Sequence, residues 1–527
     1  MRIVFCGLLL LIVFGICDAR DKAMESSSES EIDEYDAQEE EDIDFLEPVH
    51  PRKSEQITVC GSDDKENYCI CQQSSPPSLL CKRKDDEYRK PLKTANVVPA
   101  DKNFKPSYVS FFENHLDYLD AETLLPGLQA DVIALDFMSN HLRRIDGEAF
   151  SKFSKLKKLR LTNNFLTLTE ETDEWISESL GDTLEKLYFG YNEIEKINDN
   201  VFQPLHNLKT LVLDGNPGIQ LTEKTFSKGL ERLEKLSLDS CNLKSLPDSI
   251  FSNLKNLKYL SLIGNPLTAV PKALNLINTL QILDLSSTNL PEFTPQALKD
   301  DHSVQQLFLQ NMKFLYELDD CAFCGLTNLA RVDVSGSKKL HKIHPNAFGN
   351  VNNTDSSPKN LKSLRLENCT LAELPENLVD WKKLEETAIW DNPLNCDKNL
   401  YWLLKNLQDY KLKTIVNAKE PICAAPDDLK GQSIVNASKS LGFSPDTSSA
   451  SSFSLLRAFL AFMFVATIAG MFIFGIMFCN KRYGGSGNPF YRPQMPHVGF
   501  NNLSADVDFD DENEDHDDFN SPPPVAV

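Results

Sequence analysis

Two cysteines and two histidines are the residues of this sequence best suited to metal or redox chemistry. Cys321 and Cys324 form a Cys-x2-Cys pair, and His341 and His344 follow it. Thiolate and imidazole are zinc ligands, and a Cys-x2-Cys pair also suits thiol–disulfide exchange. However, the residues between the two pairs keep a regular apolar spacing that places them on neighbouring segments, which need not converge. We therefore expect a local disulfide or two thiols here, and no metal or other cofactor.

The remaining sequence gives no sign of catalysis. It contains no nucleophile–base spacing and no phosphate-binding loop, so we expect a protein that is not an enzyme. The 527 residues carry 54 Lys and Arg against 77 Asp and Glu, a formal charge of -23 that disfavours nucleic acid as a partner. Most of the excess lies in two stretches without a basic residue. Residues 25–47, hereafter the acidic run, hold 12 acids, and residues 506–518 hold 9.

Two apolar segments predict the topology of the chain. Residues 1–19 have a basic start, an apolar core and a small residue at the end, which is typical of a secretory signal peptide. Residues 457–479 include a run from Ala458 to Cys479 without any charge, long enough at about 1.5 Å per residue to cross a bilayer. Lys481 and Arg482 follow this run. The sequence therefore predicts a single-pass type I protein of the plasma membrane with an extracellular N-terminal part.

Most of the chain between these two apolar segments consists of an internal sequence repeat, which must position the candidate residues. The frame Leu-x-x-Leu-x-Leu-x-x-Asn-x-Leu returns about every 24 residues, for example at Leu257, Leu260, Leu262, Asn265 and Leu267. The Asn position of the frame is filled by Asn114, Asn140, Asn164, Asn192, Asn216, Cys241, Asn265, Thr288, Met312, Ser337, Cys369 and Asn392. Alternating apolar residues indicate a short strand in each copy, and the Asn side chain can bond backbone groups where the chain leaves the strand.

Residues 104–394 therefore resemble the leucine-rich-repeat family, with about 12 repeats. The resemblance implies an α/β solenoid whose strands form one parallel sheet on a concave face that is open to solvent. Such a scaffold offers a binding surface and no closed pocket. Cys241 and Cys369 lie five repeats apart, too far for a disulfide, and should be buried thiols that stabilise the turn.

Cysteines flank the repeats where a solenoid must shield its apolar ends. Residues 56–103 resemble the family's N-terminal cap, which implies disulfides between Cys60 and Cys71 and between Cys69 and Cys81. Residues 395–430 resemble the C-terminal cap, with Lys398 in place of one expected cysteine. We therefore predict a single bond there, between Cys396 and Cys423, followed by a juxtamembrane stalk at residues 431–456.

Apolar residues on the exposed side of the predicted strands indicate where a partner would bind. The candidates are Tyr108, Phe112, Met138, Tyr188, Tyr259, Ile263, Phe308 and Trp390. Four of them, Tyr188, Tyr259, Ile263 and Phe308, fall in the middle of the array, where we place a protein-binding site. Scattered aromatic residues are also ordinary on strands.

A basic set is assigned to strand positions of repeats three to six. Its members are Lys157, Lys158, Arg160, Lys186, Lys209 and Lys235. Lys158, Arg160 and Lys186 form the part that we expect to contact a ligand. Either the set is a solvated face, or it binds an anionic partner, which could be a sulfated glycan or the acidic run of the same chain.

Several short motifs predict modification and traffic. Residues 20–55 are too acidic to pack and should be disordered, and Tyr35 lies in an acidic context typical of tyrosine sulfation. Asn352, Asn368 and Asn436 are candidate glycan sites. The cytoplasmic tail, residues 480–527, should also be disordered. Its Asn488-Pro489-Phe490-Tyr491 segment matches an internalisation motif read by endocytic adaptors.

Together these features predict a cell-surface recognition or adhesion protein. Its repeats would bind an extracellular protein ligand, or a copy of the same protein, and adaptors would internalise it through the tail. The order of acidic segment, four-cysteine cap and repeats also resembles small leucine-rich proteoglycans, although these lack a membrane span. The alternative is therefore a membrane-tethered matrix organiser that acts through the acidic run.

Overall fold

The computed structural model describes the repeats and both caps. The described residues are 55–61, 69–81, 91–226, 228–295, 297–299, 302–349, 357–407 and 419–443. The predicted signal peptide, the acidic run, the span at 457–479 and the tail at 480–527 lie outside these ranges. Within them, no helix is both long and apolar enough to cross a membrane.

Short strands recur once per repeat because each copy offers one run of alternating apolar residues. The strands are β1 (Ile57–Val59), β2 (Ile70–Gln72), β3 (Ser78–Leu80), β4 (Val97–Pro99), β5 (Tyr108–Ser110), β6 (Tyr118–Leu119), β7 (Ala134–Asp136), β8 (Arg144–Ile145), β9 (Lys158–Arg160), β10 (Lys186–Tyr188), β11 (Thr210–Val212), β12 (Lys235–Ser237), β13 (Tyr259–Ser261), β14 (Ile282–Asp284), β15 (Gln306–Phe308), β16 (Glu317–Leu318), β17 (Arg331–Asp333), β18 (Lys342–Ile343), β19 (Ser363–Arg365), β20 (Glu386–Ala388), β21 (Leu394–Asn395) and β22 (Cys423–Ala425).

Helical segments are short and few among the described residues. They are α1 (Glu178–Gly181), α2 (Tyr401–Lys405) and α3 (Ile434–Ser440), with 3-10 turns at Gln129–Asp131 and Lys272–Leu276. The other segments between strands form turns that return the chain to the next repeat. The architecture is therefore a solenoid dominated by strands and turns.

One sheet of 14 strands runs through the described residues and is called here the main sheet. Its order is β2-β3-β5-β7-β9-β10-β11-β12-β13-β14-β15-β17-β19-β20. Strand β2 is antiparallel to β3, and every other pair in the main sheet is parallel. Two-stranded sheets pair β1 with β4, β6 with β8, β16 with β18 and β21 with β22.

The core is a stack of equivalent side chains from successive repeats. The middle residues of neighbouring strands are in register, as with Leu236 and Leu260, and both are fully buried. Phenylalanines fill the side of the core away from the main sheet. The rings of Phe202 and Phe226 lie 6.1 Å apart and those of Phe226 and Phe251 lie 6.4 Å apart. Each repeat thus buries its apolar residues only by packing on its neighbours.

Buried asparagines join consecutive repeats after each strand. The Oδ1 atom of Asn265 accepts hydrogen bonds from the backbone N–H groups of Cys241 and Leu243, at 3.1 and 3.0 Å. Its Nδ2 donates to the carbonyl oxygens of Leu238 and Leu262, at 2.8 and 2.9 Å. One side chain thereby satisfies four backbone groups that are hidden from water.

Cys241 and Cys369 stand at the same position as these asparagines, and both are buried free thiols. The thiol of Cys241 donates to the carbonyl oxygens of Leu213 and Asp239, at 3.3 and 3.4 Å. Burial raises the pKa of each thiol to about 12, so neither is a nucleophile near neutral pH. Each thiol thus supplies the donor that asparagine supplies at the other positions.

Disulfides join Cys60 to Cys71, Cys69 to Cys81 and Cys396 to Cys423. These pairs are the ones that the cap resemblance implies. The first joins Cys60, directly after β1, to Cys71 of β2. The second joins the residues that flank β2 and β3, the strands that begin the main sheet. At the other end, Trp402 of α2 packs on Trp381 with ring centroids 5.2 Å apart. Both ends of the repeat stack are therefore covered.

Candidate ligand-binding face

The main sheet exposes one side to solvent, which we call the open face. In strands such as β9, β10 and β15 the middle residue is buried while the first and third are partly exposed. Side chains alternate along a strand, so this face carries the first and the third residue of each strand. It also carries the residue two positions after the strand. The open face therefore carries three rows of side chains across the repeats.

The aromatic candidates Tyr188, Tyr259 and Phe308 lie on the open face and are half-buried. Basic side chains from adjacent strands lie over their three rings. The guanidinium carbon of Arg160 lies 5.4 Å from the ring centroid of Tyr188. The Nζ atom of Lys235 lies 4.9 Å from the ring of Tyr259, and the guanidinium carbon of Arg331 lies 5.5 Å from the ring of Phe308. Each aromatic residue is therefore held by a cation–π contact.

Ile263 lies in the third row of the repeat that holds Tyr259 in the first row. Its side chain is half-buried, and its backbone N–H donates to Oδ1 of Asp239 at 2.8 Å. The parallel register separates Tyr188 and Tyr259 by three strand steps, or about 14 Å, and Tyr259 and Phe308 by two, or about 10 Å. The structure thus distributes the four central candidates over a strip of the open face that includes all three rows.

The basic candidates divide into two groups. Lys158 and Lys186 are direct register partners on β9 and β10, and Arg160 is the partner of Tyr188. Lys157 and Lys209 do not occupy strand positions, contrary to the sequence assignment. Each precedes its strand, and their Nζ atoms lie 2.9 and 2.8 Å from the carboxylate of Glu185. Their side chains follow the alternation of the strand away from the open face.

Buried aspartates occupy the centre of the open face and were not recognised from sequence. Oδ1 of Asp214 accepts from the backbone N–H of Asp239 at 2.8 Å, and Oδ1 of Asp239 accepts from the hydroxyl of Ser261 at 2.5 Å. Burial raises the pKa of Asp214 and of Asp284 to about 6. Burial, followed by the charge of Asp214, raises the pKa of Asp239 to about 8. This region therefore carries less negative charge at neutral pH than its sequence suggests.

A charged network fills the open face nearer the C-terminal cap. The guanidinium groups of Arg331 and Arg365 both approach Asp333 and Glu386, with nitrogen–oxygen distances of 3.4 to 3.7 Å. Nε2 of Gln310 donates to Oδ2 of Asp333 at 2.8 Å. Opposite charges are matched here, so this region favours rigidity over recognition of a charged partner.

The cysteine–histidine group does not form a metal site. Cys321 and Cys324 are joined by a disulfide, with a Cα–Cα distance of 4.8 Å. Nδ1 of His344 lies 3.4 Å from Oδ1 of Asp320, and Nδ1 of His341 lies 3.2 Å from the carbonyl oxygen of Lys339. Across the described ranges, no group of three or more His, Cys, Asp or Glu residues is arranged to hold a metal ion.

Two predicted glycan sites lie among the described residues. Asn436 is exposed in α3, where its backbone N–H bonds to the capping hydroxyl of Ser433. Asn368 is half-buried, and its Oδ1 accepts a hydrogen bond from Nζ of Lys338. Outside the described residues lie Asn352, Tyr35 and the motif residues Asn488, Pro489 and Tyr491. These assignments stay predictions.

Comparison with protein families identifies the repeats. The "Leucine rich repeat" model matches residues 231–290, and the "BspA type Leucine rich repeat region (6 copies)" model matches residues 133–258. These regions therefore consist of leucine-rich repeats, in agreement with the parallel solenoid.

Curated relatives match part of the chain. Lumican of Gallus gallus is 31% identical over 170 residues, which are 31% of this chain and 43% of lumican. Osteomodulin of Bos taurus is 27% identical over 196 residues, 37% of this chain and 40% of osteomodulin. The chain thus spans less than half the length of these relatives.

Two solved structures are similar to part of this chain at low identity. A leucine-rich-repeat protein of Leptospira interrogans has a TM-score of 0.44 and 24% identity, covering 56% of this chain and 68% of that chain. A chain from the octameric complex of latrophilin 3, Unc5D and FLRT2 has a TM-score of 0.43 and 17% identity, covering 70% of this chain and 96% of its own.

Proposed function

We propose that this protein is a cell-surface recognition receptor whose repeats bind an extracellular protein ligand through the open face. The observation that carries the proposal is the placement of Tyr188, Tyr259 and Phe308 on this face, each held half-exposed by a neighbouring cation. Aromatic side chains contribute strongly to protein interfaces because they bury a large area with little loss of conformational entropy. Their fixed position further reduces that loss.

The dimensions of the strip suit a protein ligand. Tyr188 and Phe308 are five strand steps apart, or about 24 Å. A standard interface buries about 800 Å² on each partner, which corresponds to a patch of similar width. We place Tyr259 at its centre, with Ile263 in the third row of the same repeat. The ligand is a different protein or a second copy of this one.

The remaining parts of the proposal rest on sequence motifs. The predicted signal peptide at 1–19 and the predicted span at 457–479 support a single-pass type I protein of the plasma membrane. Adaptors would internalise it by reading Asn488, Pro489 and Tyr491 in the cytosolic tail. Tyrosine sulfation at Tyr35 and glycans at Asn352, Asn368 and Asn436 would modify the extracellular part.

Binding measurements with matched variants test the role of the open face. The full-length protein on cells is screened against soluble surface proteins and against its own extracellular part. For a bound protein, we expect Tyr259→Ala and Phe308→Ala each to weaken binding at least about tenfold. Tyr316→Ala is the control, because Tyr316 is an exposed aromatic residue outside the main sheet. Equal effects of Tyr259→Ala and Tyr316→Ala would exclude the open face as the site.

A second candidate is a membrane-tethered matrix organiser that acts through the acidic run. The similarity of part of the chain to lumican and osteomodulin supports this alternative. Deletion of residues 25–47 separates the two functions. The receptor keeps its ligand binding after the deletion, whereas the matrix organiser loses it.

A further inference from the structure

The Cys321–Cys324 disulfide lies in a turn that other repeats form without cysteines. In this turn the backbone N–H of Cys324 donates to the carbonyl oxygen of Cys321 at 3.2 Å, and the disulfide joins the same two residues. The same bond between the first and fourth residues of the turn recurs, at 2.8 to 3.1 Å, at Glu148 and Ser151, Asn200 and Gln203, Ser249 and Ser252, and Asn346 and Gly349. The backbone therefore adopts this turn without help from a disulfide.

Packing on the neighbouring repeats also holds this turn in place. Phe323, between the two cysteines, is fully buried, and its ring centroid lies 5.2 Å from that of Phe293 and 4.7 Å from that of Phe348. Its backbone N–H donates to the carbonyl oxygen of Ala347 in the next repeat at 2.8 Å. These contacts involve no sulfur atom, so we expect the turn to keep its shape when the two sulfurs separate.

The disulfides of the two caps are placed differently. The paired cysteines of the caps are 11, 12 and 27 residues apart, whereas Cys321 and Cys324 are 3 apart. A disulfide that closes a shorter loop stabilises the fold less, and by linkage the fold then stabilises that disulfide less against reduction. Cys321 and Cys324 are also partly exposed. The buried cap cysteines are Cys69, Cys81, Cys396 and Cys423.

We propose that Cys321 and Cys324 form a site of reversible thiol–disulfide exchange with a dithiol. A thiolate of the dithiol attacks one sulfur, the Cys321–Cys324 bond breaks, and a mixed disulfide forms. The second thiolate of the dithiol then attacks the mixed disulfide. The dithiol leaves as a disulfide, and the protein keeps two electrons and two protons as a pair of thiols.

The short separation of the two cysteines favours a dithiol over a monothiol. After attack by a monothiol, the released cysteine lies three residues from the mixed disulfide. Its thiolate is held there at an effective concentration on the order of millimolar, so it expels the monothiol and restores the original bond. The second thiol of a dithiol competes with this reversal because it is also held at the mixed disulfide.

The exchange goes beyond the proposed recognition function. The turn follows β16, which pairs with β18 outside the main sheet, whereas Tyr259 and Phe308 lie on the main sheet. Reduction would therefore produce two thiols away from the main sheet and leave the open face unchanged. The thiol state of this turn would follow the redox conditions around the protein while the repeats stay folded.

Partial reduction of the full-length protein in detergent micelles tests the proposal. The protein is incubated with graded concentrations of dithiothreitol, and N-ethylmaleimide labels the thiols that form. Trypsin leaves Cys321 and Cys324 in one peptide, because no Lys or Arg lies between them, and mass spectrometry counts its labels. We expect half of this peptide to be doubly labelled at a dithiothreitol concentration at least about fivefold lower than the peptides of Cys396 and Cys423 require. The monothiol 2-mercaptoethanol, at equal thiol concentration, should reduce the pair less.

The free thiols of the chain show whether the repeats stay folded during reduction. Cys241 and Cys369 are buried, so N-ethylmaleimide reaches them only when the repeats open. Both should remain unlabelled while Cys321 and Cys324 are reduced. Oxidised glutathione, added after the dithiothreitol is removed, should restore the disulfide and release reduced glutathione.

The Cys60–Cys71 disulfide is the matched control for exposure. Its cysteines are also partly exposed, but they are 11 residues apart, so this bond should need more dithiothreitol than Cys321–Cys324. Substitution gives a second measurement. The combination Cys321→Ser and Cys324→Ser should lower the midpoint of urea unfolding less than the combination Cys60→Ser and Cys71→Ser does.

Each of these measurements can overturn the proposal. Reduction of Cys321–Cys324 only at the concentrations that reduce the cap disulfides would overturn it, as would labelling of Cys241 at the same step. Equal reduction by 2-mercaptoethanol would exclude the preference for a dithiol. None of these results bears on the ligand contacts of Tyr259 and Phe308, which are tested separately.

Discussion

Replacing Asp239 by Asn should stabilise the protein, and more so as the pH rises. Asp239 is buried in the open face, and its Oδ1 accepts from the hydroxyl of Ser261 and the backbone N–H of Ile263. Asparagine keeps an oxygen that can accept both bonds and removes the negative charge. The charge is unfavourable here because it is hidden from water and lies near Asp214.

The pH range follows from the pKa of this group. The pKa of Asp239 is about 8 in the folded chain, and its ordinary value, which applies to the unfolded chain, is 3.8. Between these values the folded chain holds a proton that the unfolded chain has released, so the free energy of unfolding falls as pH rises. This decrease in the free energy of unfolding is absent below pH 3.8 and complete above pH 8. Each pKa unit corresponds to about 1.4 kcal/mol. We therefore expect Asp239→Asn to raise the free energy of unfolding by about 2–4 kcal/mol at pH 9 and by less than about 1 kcal/mol at pH 4.

Urea unfolding at pH 4, 6 and 9, followed by circular dichroism, measures this difference. Asp284→Asn is the matched control, because the pKa of Asp284 is about 6 and its effect should stop increasing above that pH. A stability difference between Asp239→Asn and the parent that is independent of pH would refute the reasoning. So would a loss of stability at pH 9.

Three further predictions concern other parts of the chain. Asn265→Ala should lower the free energy of unfolding in urea by about 3–5 kcal/mol, because four buried backbone groups lose their partner. Asn256 is the control, since it is exposed and donates to the carbonyl oxygen of Glu231, and Asn256→Ala should lower it by less than about 1 kcal/mol. Similar losses for the two variants would contradict the role of Asn265 in joining the repeats. Peptide mass spectrometry should find higher glycan occupancy at exposed Asn436 than at half-buried Asn368, and the reverse order would argue against accessibility as the deciding factor. Tyr491→Ala should slow uptake of surface-labelled protein severalfold, and unchanged uptake would count against the internalisation motif.

Much of the fold is predictable because the repeat imposes the same physical requirement in every copy. Leu236 and Leu260 must be buried together, and Asn265 must satisfy backbone groups that water cannot reach. The bounds of the strands are less predictable. The repeat frame assigns Lys157 to a strand, yet β9 begins at Lys158, and Lys157 forms an ion pair with Glu185. Which residue begins a strand depends on backbone pairing between repeats, and a single sequence does not record it.

The site is less predictable because its properties come from residues of different repeats. Tyr259 is half-buried, and the cation over its ring, Lys235, comes from the preceding strand. The raised pKa of Asp239 depends on Asp214, which is 25 residues away in sequence. Similarly, the Cys321–Cys324 spacing allowed a disulfide or two thiols, and the fold joins them. These outcomes depend on distances between side chains, which the repeat pattern does not specify.

Photo-crosslinking from position 259 tests most directly whether the open face binds a protein. A benzophenone amino acid is placed at position 259, or at the exposed position 316 outside the main sheet, in the full-length protein on living cells. The account predicts a discrete, light-dependent crosslinked protein from position 259 and not from position 316. Crosslinks of equal yield from both positions, or crosslinks from position 316 alone, would contradict it.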